Sequence, residues 1–335
     1  MVKKYSVGID IAAKSLAVSV LAHPTAPELV AITVDNSIQG ISSLFGALRK
    51  VGIKTKDCWF CFEHTGNYGL LLGVSLQKRN CTFSSVAALE IKSSQGVQRG
   101  KTDAADARQI AMYAAVNRHK LKPCKLPEKS LLMIKELLSY RSQLIKIRTQ
   151  LKNSIKSRRL LGKLIDNKWV LCDLQEQVLG LNERVKKADK AIEEVVEQSE
   201  LAGNYHLAKS VKSIGPVIAA AMVVYTNNFA GFDTSRQFSS YAGIAPFRYE
   251  SGSSIRGKTK VSNYANKRIK TLLYNAANTA IVHDPEMRAY YLRKRALNKH
   301  HCSITNAVAA KLIGRIFAVV KRQTPYVSTY AQKIA

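Results

Sequence analysis

The sequence predicts an α/β domain at residues 1–125 followed by an all-α remainder. The remainder divides into a coiled-coil helical hairpin at 126–200 and a helical C-terminal domain at 201–335. Three observations carry this. Short alternating runs recur at 5–11, 16–22, 29–34, 57–63 and 81–87, with helical patterns between the later ones. Leu171, Leu174, Val178, Leu181, Val185, Ala188, Ile192 and Val195 then repeat at steps of three and four without a break. Beyond them the chain reads as helices and turns with a strong basic excess.

The elements follow in order. In YSVGIDI, Val7, Ile9 and Ile11 face one way and Ser6, Gly8 and Asp10 the other, so the strand has a core face and a face carrying one carboxylate. LAVSVLA and LVAITV are the second and third strands, joined through a loop holding Pro24 and Pro27. Ser37 caps a helix with the stripe Ile38, Ile41, Leu44, Phe45 and Leu48, which Gly52 ends. A strand at 57–63 ends on Glu63 and the turn His64-Thr65-Gly66. A helix near 68–79, a strand at 81–87 and a helix bearing Asp103 and Asp106 complete the domain. Three strands able to pair antiparallel, then helix, strand, helix, strand, helix, is the order of an RNase-H-like domain.

The KPCKLP segment, 122–127, marks a boundary. Two long helices follow. The first carries Ile134, Leu137, Leu144, Leu151 and Ile155, interrupted by Arg141 and Arg148. Ten basic residues lie between Lys129 and Lys163 against Glu136 as the lone acid. Such one-sided charge fits nucleic acid or the acidic second helix. The two helices would pair as an antiparallel hairpin joined near Gly162–Asn167, with a role in dimerisation. LAKSVKSIGPVIAAAMVVY, 207–225, reads as helix, Gly-Pro turn, helix. Its turn at Gly215 would bring backbone N–H groups to a DNA phosphate, as in a helix-hairpin-helix element.

Composition narrows the partners. The 335 residues include 52 Lys and Arg against 23 Asp and Glu, a net charge of +29. That excess calls for a polyanion, and nucleic acid is the default. The last third is the most basic, with 20 Lys and Arg against 4 acids after residue 200. A membrane surface is the other anionic partner. No run of ~18 uninterrupted apolar residues is present, and MVKKYSVGID has no signal-peptide core. A cytoplasmic, nucleoid-associated protein without a membrane partner is expected. The six cysteines read as reduced thiols. Cys58 and Cys61 form a C-x-x-C inside a strand, where residues three apart point to opposite faces, which disfavours a zinc or redox site.

Asp103 and Asp106 lie one helical turn apart in GKTDAADARQ. One reading is a capped helix start, with Thr102 or Asp103 as the cap and Asp106 favouring the helix dipole. The other is half of a metal site, since a divalent cation would remove the repulsion between them. Asp10 and Glu63 end neighbouring strands in an RNase-H-like sheet, so all four carboxylates can converge. Four acids in so basic a domain suit two Mg²⁺ (or Mn²⁺) ions clamping the attacking and leaving oxygens of a phosphodiester displacement. Asp10 could also be the nucleotide-binding aspartate of actin-like and sugar kinases, but no second Gly-rich phosphate loop is evident. In RYESGSSIRGKTK, 248–260, Arg248, Arg256, Lys258 and Lys260 surround small residues. A serine there would be a nucleophile, or the segment a flexible phosphate-binding loop with no covalent role; residue types alone favour the loop.

Five segments in order, GID at 8–10, FEHTGNY at 62–68, GKTDAADAR at 100–108, SIGPVIAA at 213–220 and RYESGSSIRGK at 248–258, resemble the DEDD-type insertion-sequence transposases. These are bridge-RNA-guided serine recombinases, related to the Piv-type DNA invertases. The resemblance runs over about residues 5–322. It implies a RuvC-like nuclease domain, a coiled-coil region and a C-terminal transposase domain. It also implies a metal tetrad of Asp10, Glu63, Asp103 and Asp106, and Ser251 as the nucleophile that forms a transient 5′-phosphoserine bond with DNA. Ser253 and Ser254 match neighbouring serines of the motif. Double-stranded DNA, a structured guide RNA and a homodimer or homotetramer are the implied partners, with sites shared between subunits. His64 departs from the small residue common at that position. The competing readings are a Holliday-resolvase-like nuclease using water and a non-catalytic nucleic-acid-binding protein.

Overall fold

The alternation in β1 (Tyr5–Ile11) sets the plan of the first half of the molecule. In the computed structural model, which describes residues 3–64, 66–94, 102–251 and 255–328, β1 is the middle strand of five. It pairs antiparallel with β2 (Ser15–Leu21), which pairs antiparallel with β3 (Val30–Asp35). α1 (Ile38–Lys50) then crosses to β4 (Cys58–Glu63), which lies parallel to β1 on its other side. α2 (Leu70–Lys78) crosses to β5 (Thr82–Val86), parallel to β4. The order β3-β2-β1-β4-β5 is the RNase-H-like arrangement.

Each face of this sheet has its own core. Val7, Ile9, Phe60, Phe62 and Phe83 meet Leu44, Leu48, Leu72 and Leu76 of α1 and α2. Ser37 caps α1 by accepting from the N–H of Gly40. The opposite face takes α3 (Ala88–Ser93) and α4 (Asp103–Val116), with a smaller core of Cys61, Val86, Ile91, Ile110, Tyr113 and Ala114. α3 buries only Ile91, which leaves no periodic signal in the sequence. The helix expected near 68–79 starts at Leu70, after a tight turn at Gly66–Gly69. Cys58 and Cys61 lie in the two opposite cores as free thiols, each pushed up to about 12 by burial.

The chain separates into two compact units, Met1–Leu126 and Pro127–Ala335. The second opens with α5 (Lys129–Leu161) and α6 (Lys168–Glu197). Residue 141 faces 189 and 148 faces 182, so the two helices run antiparallel. Their seam holds Leu144, Leu181 and Val185. The two arginines that interrupt the stripe of α5 find polar partners on α6. Arg141 pairs with Asp189, and Arg148 donates to the side-chain oxygen of Asn182 at 3.0 Å.

The open end of this hairpin is built into the main core of the unit. Leu131, Ile134, Ile192 and Val196 join α7 (Ala202–Lys209), α8 (Pro216–Tyr225) and α9 (Ser235–Tyr241) there. Between α9 and α10 (Lys267–His283), β6 (Pro246–Ser251) and β7 (Ile255–Val261) form an antiparallel pair. α11 (Pro285–Ala296) and α12 (His301–Arg322) close the unit. α12 is long and apolar enough to cross a membrane by length and composition, but Ile304, Val308, Leu312, Ile313 and Ile316 are buried in the core. The serine segment expected as a loop is therefore a β-hairpin. Glu250 stands opposite Arg256 in the register, and the pairing is irregular between Phe247 and Tyr249.

Candidate metal centre and serine hairpin

Gly8 determines where the acidic helix sits. A Cβ built on it would lie 2.1 Å from the backbone nitrogen of Ala111 and 2.2 Å from the backbone oxygen of Ala107. No side chain fits in that space, so α4 lies backbone to backbone against β1. The far end of the helix is fixed by Arg118, which donates to the carbonyl of Lys3 and, at 2.8 Å, to the hydroxyl of Ser6. The C-terminal end of α4 therefore lies over the start of β1, and the helix runs antiparallel to the strand. From Ala107 back to Asp103 is about 6 Å of helix. From Gly8 on to Asp10 is about 6.6 Å of strand. The two aspartates of α4 thus reach the end of the strand that carries Asp10.

Glu63 reaches the same place from β4. Gly8 is in register with Cys61 and Ile9 with Phe62, so Glu63 ends its strand beside Asp10 and on the same face. Asp10, Glu63 and Asp106 are half-buried and Asp103 is exposed. Their proximity has an electrostatic signature. Burial raises the pKa of Asp10 above its ordinary 3.8, and the carboxylates of Asp106, Asp103 and Glu63 raise it further, against a backbone hydrogen bond from Ile11. Thr102 caps α4, its hydroxyl accepting from Ala105 N–H at 3.2 Å. The cap is therefore the threonine, and neither aspartate has that duty.

A divalent cation suits this donor set. The four groups are all hard oxygen donors, and Asp106, Asp103 and Glu63 each disfavour the charged form of Asp10. No described basic side chain forms an ion pair with any of them. Arg108, the basic neighbour on α4, pairs instead with Glu28 at 3.5 Å, and Glu28 also accepts from Ser19 of β2. Among the described residues, no three acidic, histidine or cysteine side chains are drawn in closely enough to hold one ion.

Three supporting residues escape a reading of motifs. Gly8 and Arg118 seat α4. Asn36 donates to the carbonyls of Ala12 at 3.0 Å and Tyr68 at 3.1 Å, tying the turn after Asp10 to the turn after Glu63. The clue to Gly8 is a glycine in the middle of a strand; the other two leave no local pattern. His64 holds the Glu63 end of β4 to β5, donating from its backbone to Val86 and contacting the Ser85 hydroxyl at 3.2 Å.

In the second unit, Ser251 is the last residue of β6 and is in register with Ile255 of β7. Arg248 and Lys260 are exposed on the two strands, and Arg256 and Lys258 occupy β7. Ser253 and Ser254 lie outside the described residues. Gly215 precedes Pro216 at the start of α8, with open space where a side chain would be.

Two transposase family models match parts of the chain. The DEDD transposase family of IS110 elements matches residues 7–162, which include all four carboxylates, and the family described as Transposase IS116/IS110/IS902 matches residues 205–292, which include Ser251. Both matched families are transposases of IS110-type elements. Among similar proteins, the uncharacterized 44.8 kDa protein of insertion element IS116 from Streptomyces clavuligerus is 29% identical over 152 residues. That match covers 45% of this chain and 37% of the relative, and the IS110 protein of Streptomyces coelicolor is likewise covered over only 38% of its length. The pilin gene-inverting protein of Moraxella bovis is 24% identical across 97% of this chain and 98% of its own. Among solved structures, RuvC of T. thermophilus in complex with a Holliday junction substrate aligns with 36% of this chain at 15% identity and a TM-score of 0.28.

Proposed function

We propose that this transposase-family chain is a DNA recombinase that cuts and rejoins strands through Ser251. Asp10, Glu63, Asp103 and Asp106 would hold Mg²⁺ (or Mn²⁺), with two ions the expected number. What supports the reading is Asp10 at one end of the sheet with Asp106, Asp103 and Glu63 near enough to raise its pKa, in a chain of net charge +29. When bound, the metal would stabilise charge on the attacking and leaving oxygens.

The chain's own groups would act as follows. The hydroxyl oxygen of Ser251 attacks a DNA phosphorus and gives up its proton. The bond from phosphorus to the 3′ oxygen breaks, and that oxygen leaves as a protonated 3′ hydroxyl. Ser251 then carries the 5′ phosphate, and attack by another 3′ hydroxyl reverses the step and frees the serine. The number of phosphoester bonds is conserved, so no nucleotide hydrolysis is needed. Arg248, Arg256, Lys258 and Lys260 would offset the phosphate charge beside the serine. Backbone N–H groups at the Gly215 turn would hold a more distant phosphate. A structured guide RNA and a homo-oligomer sharing sites between subunits are the proposed partners.

A second reading has a specific observation behind it. The similarity to a pilin gene-inverting protein spans 97% of the chain, which favours protein-directed inversion without a guide RNA. Sequencing the RNA that co-purifies with the protein separates the two.

The central test is a covalent adduct. The protein is incubated with its DNA and Mg²⁺, then denatured. A protein–DNA adduct that disappears in Ser251→Ala supports the serine mechanism. Cleavage without an adduct, or an adduct that survives Ser251→Ala, overturns it in favour of a water-using nuclease. Asp103→Ala should abolish cleavage while DNA binding persists.

A further inference from the structure

The corner between α11 and α12 collects cations around one ring. Lys311 of α12 lies 4.8 Å from the centre of the Tyr290 ring, and Arg293 and Lys294 of α11 lie 5.6 and 5.8 Å from it. Tyr290 is itself half-buried against the main core, so the ring is a fixed platform. A tyrosine face attracts a cation. Three cations drawn to one ring also repel one another, which is stable in the free protein only because water screens them. None of the three forms an ion pair with a described carboxylate.

The local acids are already engaged. Between residues 284 and 301 the only acids are Asp284 and Glu286. Arg315 of α12 donates to both, reaching Asp284 at 2.8 Å, and Asp284 is 4% exposed. Arg288, Arg295 and Lys299 are exposed along the same stretch. The surface is thus left with positive charge alone, and the cations converge on a point instead of spreading along a helix.

We infer that the Tyr290 corner, formed by Arg293, Lys294 and Lys311, is a binding site for a nucleic-acid phosphodiester backbone, separate in sequence from the serine hairpin. The surface offers cations, which would position nucleic acid through its backbone without reading its sequence. The inference rests on charge and geometry and does not depend on which residue cuts DNA.

The salt dependence of binding tests it. Full-length wild type, Arg293→Gln/Lys294→Gln/Lys311→Gln and the single variant Lys311→Gln are titrated into fluorescent duplex DNA and, separately, a fluorescent structured RNA, over a range of salt. Each lost phosphate contact on duplex DNA lowers the log–log salt slope by roughly 0.9, so the triple variant should lose about 2 to 3 and the single variant about 1. Loss on DNA alone, on RNA alone or on both supports the site and names its occupant. A control triple, Lys186→Gln/Lys187→Gln/Lys190→Gln on α6, should change little, because Lys186 and Lys190 are paired with Glu183 and Glu194. Slopes unchanged on both nucleic acids, or a control that loses as much, would overturn the inference. If the triple variant fails to fold, an unchanged slope for Lys311→Gln overturns it on its own.

Discussion

Gly8→Ala puts one methyl group where the structure has no room. Its Cβ would meet the nitrogen of Ala111 at 2.1 Å, while an ordinary contact begins near 3.4 Å. Both obstructing atoms are backbone, so no side chain can swing away. α4 would have to retreat by about 1.3 Å, or β1 would have to bend. Overpacking of this kind costs about 1–3 kcal/mol of stability. The functional cost should be larger, because a site holds its geometry to within about 0.5 Å and a misplacement of about 1 Å can cost 10²-fold in rate. Asp103 and Asp106 move with α4 while Asp10 and Glu63 stay with the sheet. The variant should therefore fold, unfold at a lower temperature, and cleave DNA about 10²-fold more slowly at matched Mg²⁺. Gly46→Ala is the control: it lies in α1 with nothing within 4 Å of the new Cβ, and should be neutral or stabilising by up to about 1 kcal/mol. Thermal denaturation and single-turnover cleavage measure both effects. Wild-type cleavage by Gly8→Ala would refute the claim that this contact sets the carboxylate geometry.

Four further outcomes are expected. The raised pKa of Asp10 means that the folded state holds its proton more tightly than the unfolded state. Its contribution is therefore favourable at low pH, is lost as pH rises above 3.8 through the raised folded value, and is a cost at neutral pH. Asp10→Asn should raise the metal-free melting temperature at pH 7 and reduce the further rise that Mg²⁺ gives wild type; a lower metal-free melting temperature would contradict this. Iodoacetamide at pH 8 should label the exposed Cys172 and Cys302 and spare Cys58 and Cys61, as peptide mass mapping of native protein would show. Asn36→Ala should cost about 1–3 kcal/mol, read by denaturant titration, because it leaves the carbonyls of Ala12 and Tyr68 without their donor. A double-mutant cycle on Arg141 and Asp189 should give a coupling of about 1 kcal/mol, since the pair is only partly shielded from water.

The first unit was largely legible because its strands alternate cleanly. Val7, Ile9 and Ile11 against Ser6, Gly8 and Asp10 announced both faces of β1, Ser37 announced one helix start, and a second was legible with its cap open between Thr102 and Asp103. The spatial relation among the carboxylates was legible only through the expected strand order. What held α4 in place was not legible, because the contact at Gly8 depends on residues about a hundred positions later. The serine hairpin was missed for a different reason. Its glycines, serines and charges resemble loop composition, while the two strands are only six and seven residues long and their pairing is irregular. Arg141 and Arg148 looked like breaks in the stripe of α5, yet Asp189 and Asn182 answer them from a helix whose register no single-helix pattern reveals.

The hairpin that carries Ser251 is a sheet of two strands, so each strand has a neighbour on one side only. Such a ribbon can recruit a strand from another molecule, and proteins guard against this with charge and proline on the exposed strands. Pro246, Arg248 and Lys260 lie in these strands, where charge also deters aggregation. Neutralising those cations should therefore make the protein self-associate more readily as well as weaken the phosphate binding proposed for them. Light scattering at the concentrations used for binding would separate the two effects, and the soluble range of this protein should narrow first at the serine hairpin.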